Sequence, residues 1–159
     1  DAYRDVMPYS LENPVFSAYV IAAALMVLKL MGQGWVAVRL MMRKNAGFAS
    51  PEDLRRTPLN PDPDPAQLEL DPDVERSRRM HRNDLENIPG FLAAGLLFVA
   101  AEPPLWAAWV GFFGFVLARA GHAWAYGTAR THDMRAAFYS VGSILVIVMA
   151  LWALVAALA

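Results

Sequence analysis

Four long apolar runs divide this chain, each of the length that a helix needs to cross a bilayer, about 20 residues for about 30 Å of hydrocarbon. The first covers 15–42, opens after Asn13-Pro14 and holds one internal charge, Lys29. The second covers 74–101; it begins in a charged segment near Asp73 and is wholly apolar from Ile88 to Ala101. The third, 105–128, carries Arg119 and His122, and the fourth, 134–158, starts near Met134 and stays apolar. The pattern predicts an all-α, integral membrane four-helix bundle forming a single domain over 1–159.

The breaks between the runs predict topology. Ser50-Pro51-Glu52-Asp53 and the acidic, proline-rich stretch from Pro58 to Pro65 belong to a loop over 44–72 that is expected to be extramembrane and neither helical nor apolar. Glu102-Pro103-Pro104 and a turn around Ala129 to Asp133 form the two shorter connections. Basic residues near the span ends gather on the side of the first and third loops: Arg39, Arg43, Lys44, Arg55, Arg56, Arg76 and Arg130. The other side has Arg4, Asp5, Glu12 and Glu102, so the positive-inside rule places both termini outside and the basic loops in the cytoplasm. No cleavable signal peptide is expected, because the first apolar run is long enough to span.

Composition narrows the chemistry. The chain is 57% hydrophobic, and its charges are bunched rather than spread as on a soluble domain. A net charge of −1, with the arginines beside apolar helices, argues against a nucleic-acid partner. The absence of cysteine excludes a disulfide scaffold, a thiolate zinc site and a cysteine nucleophile; thiol chemistry here must bring its own sulfur. No metal site is expected.

Charge at membrane depth costs several kcal/mol per residue and persists where helices enclose a polar cavity or the charge reaches the headgroups. Helical spacing shows which polar residues share a face. In the second span Arg79, Arg82, Asn83 and Glu86 fall at i, i+3, i+4 and i+7; in the third, Arg119, His122 and Tyr126 fall at i, i+3 and i+7; in the fourth, Arg135 and Tyr139 are one turn apart. All three faces lie toward one end of the bundle. A cavity where they converge is rich in cationic donors and suits a small anionic ligand with carboxylates and amides.

Plainer roles stand beside these. Arg76, Arg78, Arg130, Arg43 and Lys44 read as snorkelling or positive-inside residues, and Asp73, Glu75 and Asp84 as helix-start acids or ion-pair partners. His122 alone reads as an interhelical hydrogen-bonding residue. Lys29 either snorkels or pairs with an acid, for which Glu86 is the candidate. Trp106, Trp109 and Trp124 read as interface anchors, and Gly111, Gly114, Ala118 and Gly121 as sites of close helix packing.

Three strings carry a resemblance: Phe48-Ala49-Ser50-Pro51-Glu52-Asp53, then Asp71-Pro72-Asp73-Val74-Glu75-Arg76, then the run from Arg79 to Pro89 (Arg-Met-His-Arg-Asn-Asp-Leu-Glu-Asn-Ile-Pro). With Arg119-Ala120-Gly121-His122 and the pair Arg135 and Tyr139, they resemble the MAPEG family, membrane-associated proteins in eicosanoid and glutathione metabolism. Within it the chain is most similar to the prostaglandin-synthase and glutathione-transferase branches. The resemblance implies a homotrimer holding glutathione between neighbouring subunits near the cytoplasmic side. It implies Arg79, His81, Arg82, Asn83, Glu86, Arg119, His122, Tyr126 and Tyr139 as glutathione ligands, joined by Arg39 of the next subunit, with Arg43 as the alternative. It further implies Arg135 as the group that stabilises the thiolate and Asp53 as an aspartate assisting it.

The implied activity is a glutathione-dependent transferase or peroxidase acting on hydrophobic, lipid-like electrophiles that arrive from the membrane lipid, or a prostaglandin-synthase-like isomerase. Ala136 follows Arg135 where the prostaglandin synthase has a serine, which bears on the isomerase in particular. The alternatives are a non-catalytic lipid-binding or accessory protein of the same fold, and a small subunit of a larger membrane complex. Retention of Arg135 favours catalysis, since a lipid presenter needs no thiolate-stabilising cation.

Overall fold

The computed structural model describes residues 7–159; Arg4 and Asp5, on which part of the topology expectation rests, lie outside the described residues. Four helices make the fold: α1 (Pro14–Lys44), α2 (Pro72–Ala100), α3 (Leu105–Gly127) and α4 (His132–Leu158). No strand occurs among the described residues, and the chain is a membrane helical bundle.

Each helix begins where its chemistry allows. Asn13 caps α1, its Oδ1 accepting the backbone N–H of Val15 at 2.9 Å, and Asp71 caps α2 by accepting from Asp73 and Val74. Pro14 and Pro72 follow at the first helical position, where a missing N–H costs nothing. At the far end of α1, Asn45 adopts a left-handed conformation (φ 47°) and its N–H bonds Met41 O. The α3–α4 turn is built the same way: Ala129 has φ 53° and the N–H of Arg130 returns to Ala125 O at 2.8 Å.

α2 packs on all three other helices, whereas α1 and α4 touch α2 and α3 but not each other. The bundle interior divides into two zones. Toward the α2–α3 connection it is apolar and aromatic: Phe91 stacks on Phe115 with centroids 4.2 Å apart, and Phe112 meets Phe91, Phe98 and Tyr19 edge-on. Tyr19 crosses directly over Gly95, where a Cβ would stand 2.7 Å from its ring, and its hydroxyl donates to Leu92 O. Toward the opposite end the interior is polar. Gln33 Nε2 donates to Ser77 Oγ at 2.8 Å, and Lys29, Asp84 and Arg119 meet one turn further in.

Outside, α4 leaves Ile144, Ile147, Leu151, Leu154 and Val155 uncovered, and α1 leaves Leu28, Met31 and Trp35. By length and composition α1 and α4 are each sufficient to cross a membrane. Apolar faces of this extent suit lipid or a partner surface rather than water.

The segment 45–71 is ordered by its own polar core. Gln67 is buried and donates to Asn45 Oδ1 and Asn60 Oδ1, while Asn60 Nδ2 returns a bond to Gln67 Oε1. Gly47 and Phe48 donate backbone bonds to Glu69 and Gln67. Contrary to the expectation that this loop contains no helix, Pro51–Leu54 and Pro65–Leu68 each form a single 3-10 turn. Proline breaks a helix interior but is accepted at its first position, and both turns place it there. Lys44 ties the segment to α2 through Asp73 at 2.8 Å and Asp71 at 3.6 Å. That hydrogen bond raises the Lys44 pKa and lowers that of Asp73, so Lys44 is more than a snorkelling cation.

Candidate functional site

Because neighbouring helices run antiparallel, the N-terminal half of α2, the C-terminal end of α3 and the N-terminal end of α4 share one end of the bundle. There they enclose an open cavity of about 290 Å³ lined by Asn83 and Glu86 of α2, His122 and Tyr126 of α3, and His132, Arg135, Ala136 and Tyr139 of α4.

Close packing of α3 on α4 sets its width. A Cβ at Gly121 would overlap the Phe138 ring, so the helices approach at a distance that only glycine permits. Arg135, one turn before Phe138, is thereby carried over the Tyr126 ring, with its guanidinium carbon 4.7 Å from the centroid. Its Nε is buried with no acceptor, leaving a guanidinium with unused donor capacity beside the cavity. Tyr126 in turn packs on His122, centroids 4.9 Å apart.

Behind this wall lies a charged cluster. Asp84, with 0% of its surface exposed, takes Lys29 Nζ at 2.5 Å on one carboxylate oxygen and Arg119 Nη2 on the other. Arg119, 1% exposed, also donates from Nη1 to Asn83 Oδ1 at 2.9 Å and approaches His122 Nδ1 at 3.2 Å. Lys29 therefore pairs with Asp84 and not with Glu86. Ser77, Met80, Asp84, Ile88 and Phe91 form the buried stripe of α2, and Asp84 is its one acid; Glu86 points off that stripe. An unpaired lysine inside an apolar helix calls for an acid on a buried stripe, and that signal was available in the sequence.

Of the residues singled out from sequence, the structure brings six together on the cavity wall: Asn83, Glu86, His122, Tyr126, Arg135 and Tyr139. Arg119 is behind the wall. Arg79 and Arg82 are exposed on α2, with no carboxylate partner among the described residues. His81 is turned toward α1, its ring near Gly34 and its buried Nδ1 without a partner. Arg39 is exposed on α1, which makes no contact with α4. Asp53 is exposed in the loop, where its carboxylate accepts the Ser50 N–H at 3.2 Å as a turn cap. His132 had been read only as part of a turn. Its place at the first position of α4 follows from the bond pattern around Ala129, which no spacing rule anticipates.

Chemically, the wall offers a guanidinium, two imidazoles, an amide and two phenols, with one carboxylate at Glu86. That set matches a small molecule carrying several carboxylate or carbonyl acceptors and a single cationic group. Residues 19–155 match the MAPEG family. The chain is 32% identical to the prostaglandin E synthase of Homo sapiens over 134 residues, 84% of each protein. It is 36% identical to the microsomal glutathione S-transferase 1 of Rattus norvegicus over 132 residues, 83% of this chain and 84% of that one. With a four-helix membrane bundle, a polar cavity at one end of it, and matches of this length, the chain belongs to the MAPEG family.

Proposed function

We propose that the protein is a glutathione-dependent membrane enzyme that stabilises the thiolate of glutathione and delivers it to hydrophobic electrophiles or lipid peroxides, as a transferase or peroxidase. The observation that carries this reading is Arg135: a guanidinium held over Tyr126, with its Nε unused, at a cavity whose lining also includes Glu86. The names of its relatives, a prostaglandin synthase and a glutathione transferase, point the same way.

Glutathione would supply the nucleophilic sulfur, since the chain has no cysteine. A thiol is mostly protonated at neutral pH, and Arg135 favours its ionised form by placing a permanent positive charge beside it. Glu86 is the acceptor suited to the ammonium group. Asn83, His122, Tyr126 and Tyr139 provide hydrogen bonds to carboxylates and amides. The apolar flanks of α1 and α4 admit an electrophile from the bilayer without passage through water.

The assembly we propose is a homotrimer in which Arg39 or Arg43 of a neighbouring subunit completes the site. Two observations support it: the open cavity has a single arginine in its own wall, and Arg79 and Arg82 have no acid partner among the described residues. In the membrane the chain crosses four times as one domain, with both termini outside. Segment 45–71 then faces the cytoplasm, and we assign to its Asp53 the role of assisting the thiol.

The test is ultraviolet thiolate absorbance on mixing purified protein with glutathione at neutral pH, beside the Arg135→Ala variant. A thiolate band that disappears in the variant supports the proposal. No band and no glutathione binding by calorimetry would move the protein to the accessory, lipid-binding reading.

A further inference from the structure

Arg119 shares the α3 face of His122 and Tyr126, yet its guanidinium sits behind two of the side chains that line the cavity. Nη1 donates to Asn83 Oδ1 at 2.9 Å; Nη2 stands 3.2 Å from His122 Nδ1 and also meets Asp84 Oδ1. A guanidinium carries only N–H donors and keeps its proton in a protein, so every partner it has must offer a lone pair. Asn83 is thus held with its oxygen toward Arg119 and its NH2 group turned away. His122 must present an unprotonated Nδ1, which places the ring proton on Nε2. Both residues line the cavity, and in these orientations the groups left for a ligand are donors.

We propose that Arg119 is a positioning residue that sets the tautomer of His122 and the amide orientation of Asn83, so that this wall presents two N–H donors to acceptor atoms of the ligand. Asp84 and Lys29 hold Arg119 in that post. Asp84 is fully enclosed and accepts from both cations, tying α1, α2 and α3 together at one depth. The cluster contains one more cation than anions, which adds a positive field behind the wall. Such a wall accepts carboxylate, carbonyl or thiolate atoms and rejects ammonium groups, which are left to Glu86. The orientation stands on geometry alone; that the acceptors belong to glutathione rests on the function proposed above.

A merely structural Arg119 would satisfy Asp84 without controlling the His122 proton, so the deciding readout is the tautomer. Nitrogen NMR of histidine-labelled full-length protein in lipid nanodiscs at neutral pH reports it, the His122 ring being identified by its loss in His122→Gln. The expected ring is protonated at Nε2 with an accepting Nδ1. In Arg119→Lys, one ammonium can keep the Asp84 pair but cannot also span Asn83 and His122. There His122 is expected to show mixed tautomers, and calorimetric glutathione affinity to fall about tenfold or more. Arg119→Met should do the same, and if it fails to fold, the wild-type and Arg119→Lys spectra decide. A wild-type His122 with its proton on Nδ1, a doubly protonated ring at neutral pH, or a tautomer unchanged in Arg119→Lys would overturn the proposal. The expected tautomer in a protein that binds no glutathione would uphold the positioning role while removing the glutathione reading.

Discussion

Lys29 of α1 and Asp84 of α2 form an ion pair with Nζ 2.5 Å from Oδ2, and the second oxygen of the same carboxylate holds Arg119 of α3. Removing the shared anion leaves two enclosed cations, whereas removing Lys29 leaves Asp84 still paired. Breaking a buried pair from one side costs about 3–5 kcal/mol because the abandoned charge stays buried. Asp84→Leu is therefore expected to lose at least that much stability, and Lys29→Met clearly less. Thermal unfolding in detergent checks the order; equal losses would mean that Lys29 and Arg119 do not share one anion.

Arg135→Ala should leave glutathione affinity within a few-fold while lowering turnover by about 10²–10³, the effect of removing one electrostatic stabiliser of a developing charge. Its pH–rate profile should shift upward, because the thiol then ionises only at higher pH. Matched losses in affinity and turnover would make Arg135 a group that positions the ligand.

Glu86→Gln removes the carboxylate from the cavity wall while keeping its size. An ion-paired hydrogen bond is worth about 1.5–3 kcal/mol, so glutathione should bind about ten- to a hundredfold more weakly, with little change in thiolate pKa. Calorimetry of reduced glutathione and of an analogue lacking the α-amino group separates the effect: the variant should bind the two alike.

Gly121→Ala introduces a Cβ into the Phe138 ring. Overpacking of this kind costs about 1–3 kcal/mol, and the displaced α4 would carry Arg135 off Tyr126. Stability and thiolate formation should fall together. Adding Phe138→Leu should recover most of both, and a double variant as impaired as the single one would rule out the ring contact as the cause.

Asp73 titrates below its ordinary value of 3.8 because Lys44 hydrogen-bonds its ionised form. A depressed carboxyl contributes stability above its unfolded pKa and loses it as pH falls through the folded one. Anchoring of segment 45–71 should therefore hold at neutral pH and weaken below about pH 4. An acid-active protease should cut the segment faster as pH drops through that range, and Lys44→Met should remove the pH dependence of cutting.

Four helices, the opening of the first after Asn13-Pro14, and the membrane character of the bundle were all present in the order of the residues, because apolar length, helical period and proline placement act locally. The same local period grouped Asn83 with Glu86, His122 with Tyr126, and Arg135 with Tyr139. How those groups face one another was decided by tertiary structure. Asn83 and Asp84 are neighbours in the chain, but successive residues of an α-helix point about 100° apart, so one reaches the cavity and the other the interior. Which is which depends on how α2 is rotated against α1 and α3. Arg119 matched the period of the cavity residues, yet the low dielectric of the interior draws a guanidinium to the nearest buried anion, and Asp84 lies behind the wall. Sequence spacing specifies which residues share a helix face; only packing specifies what that face meets.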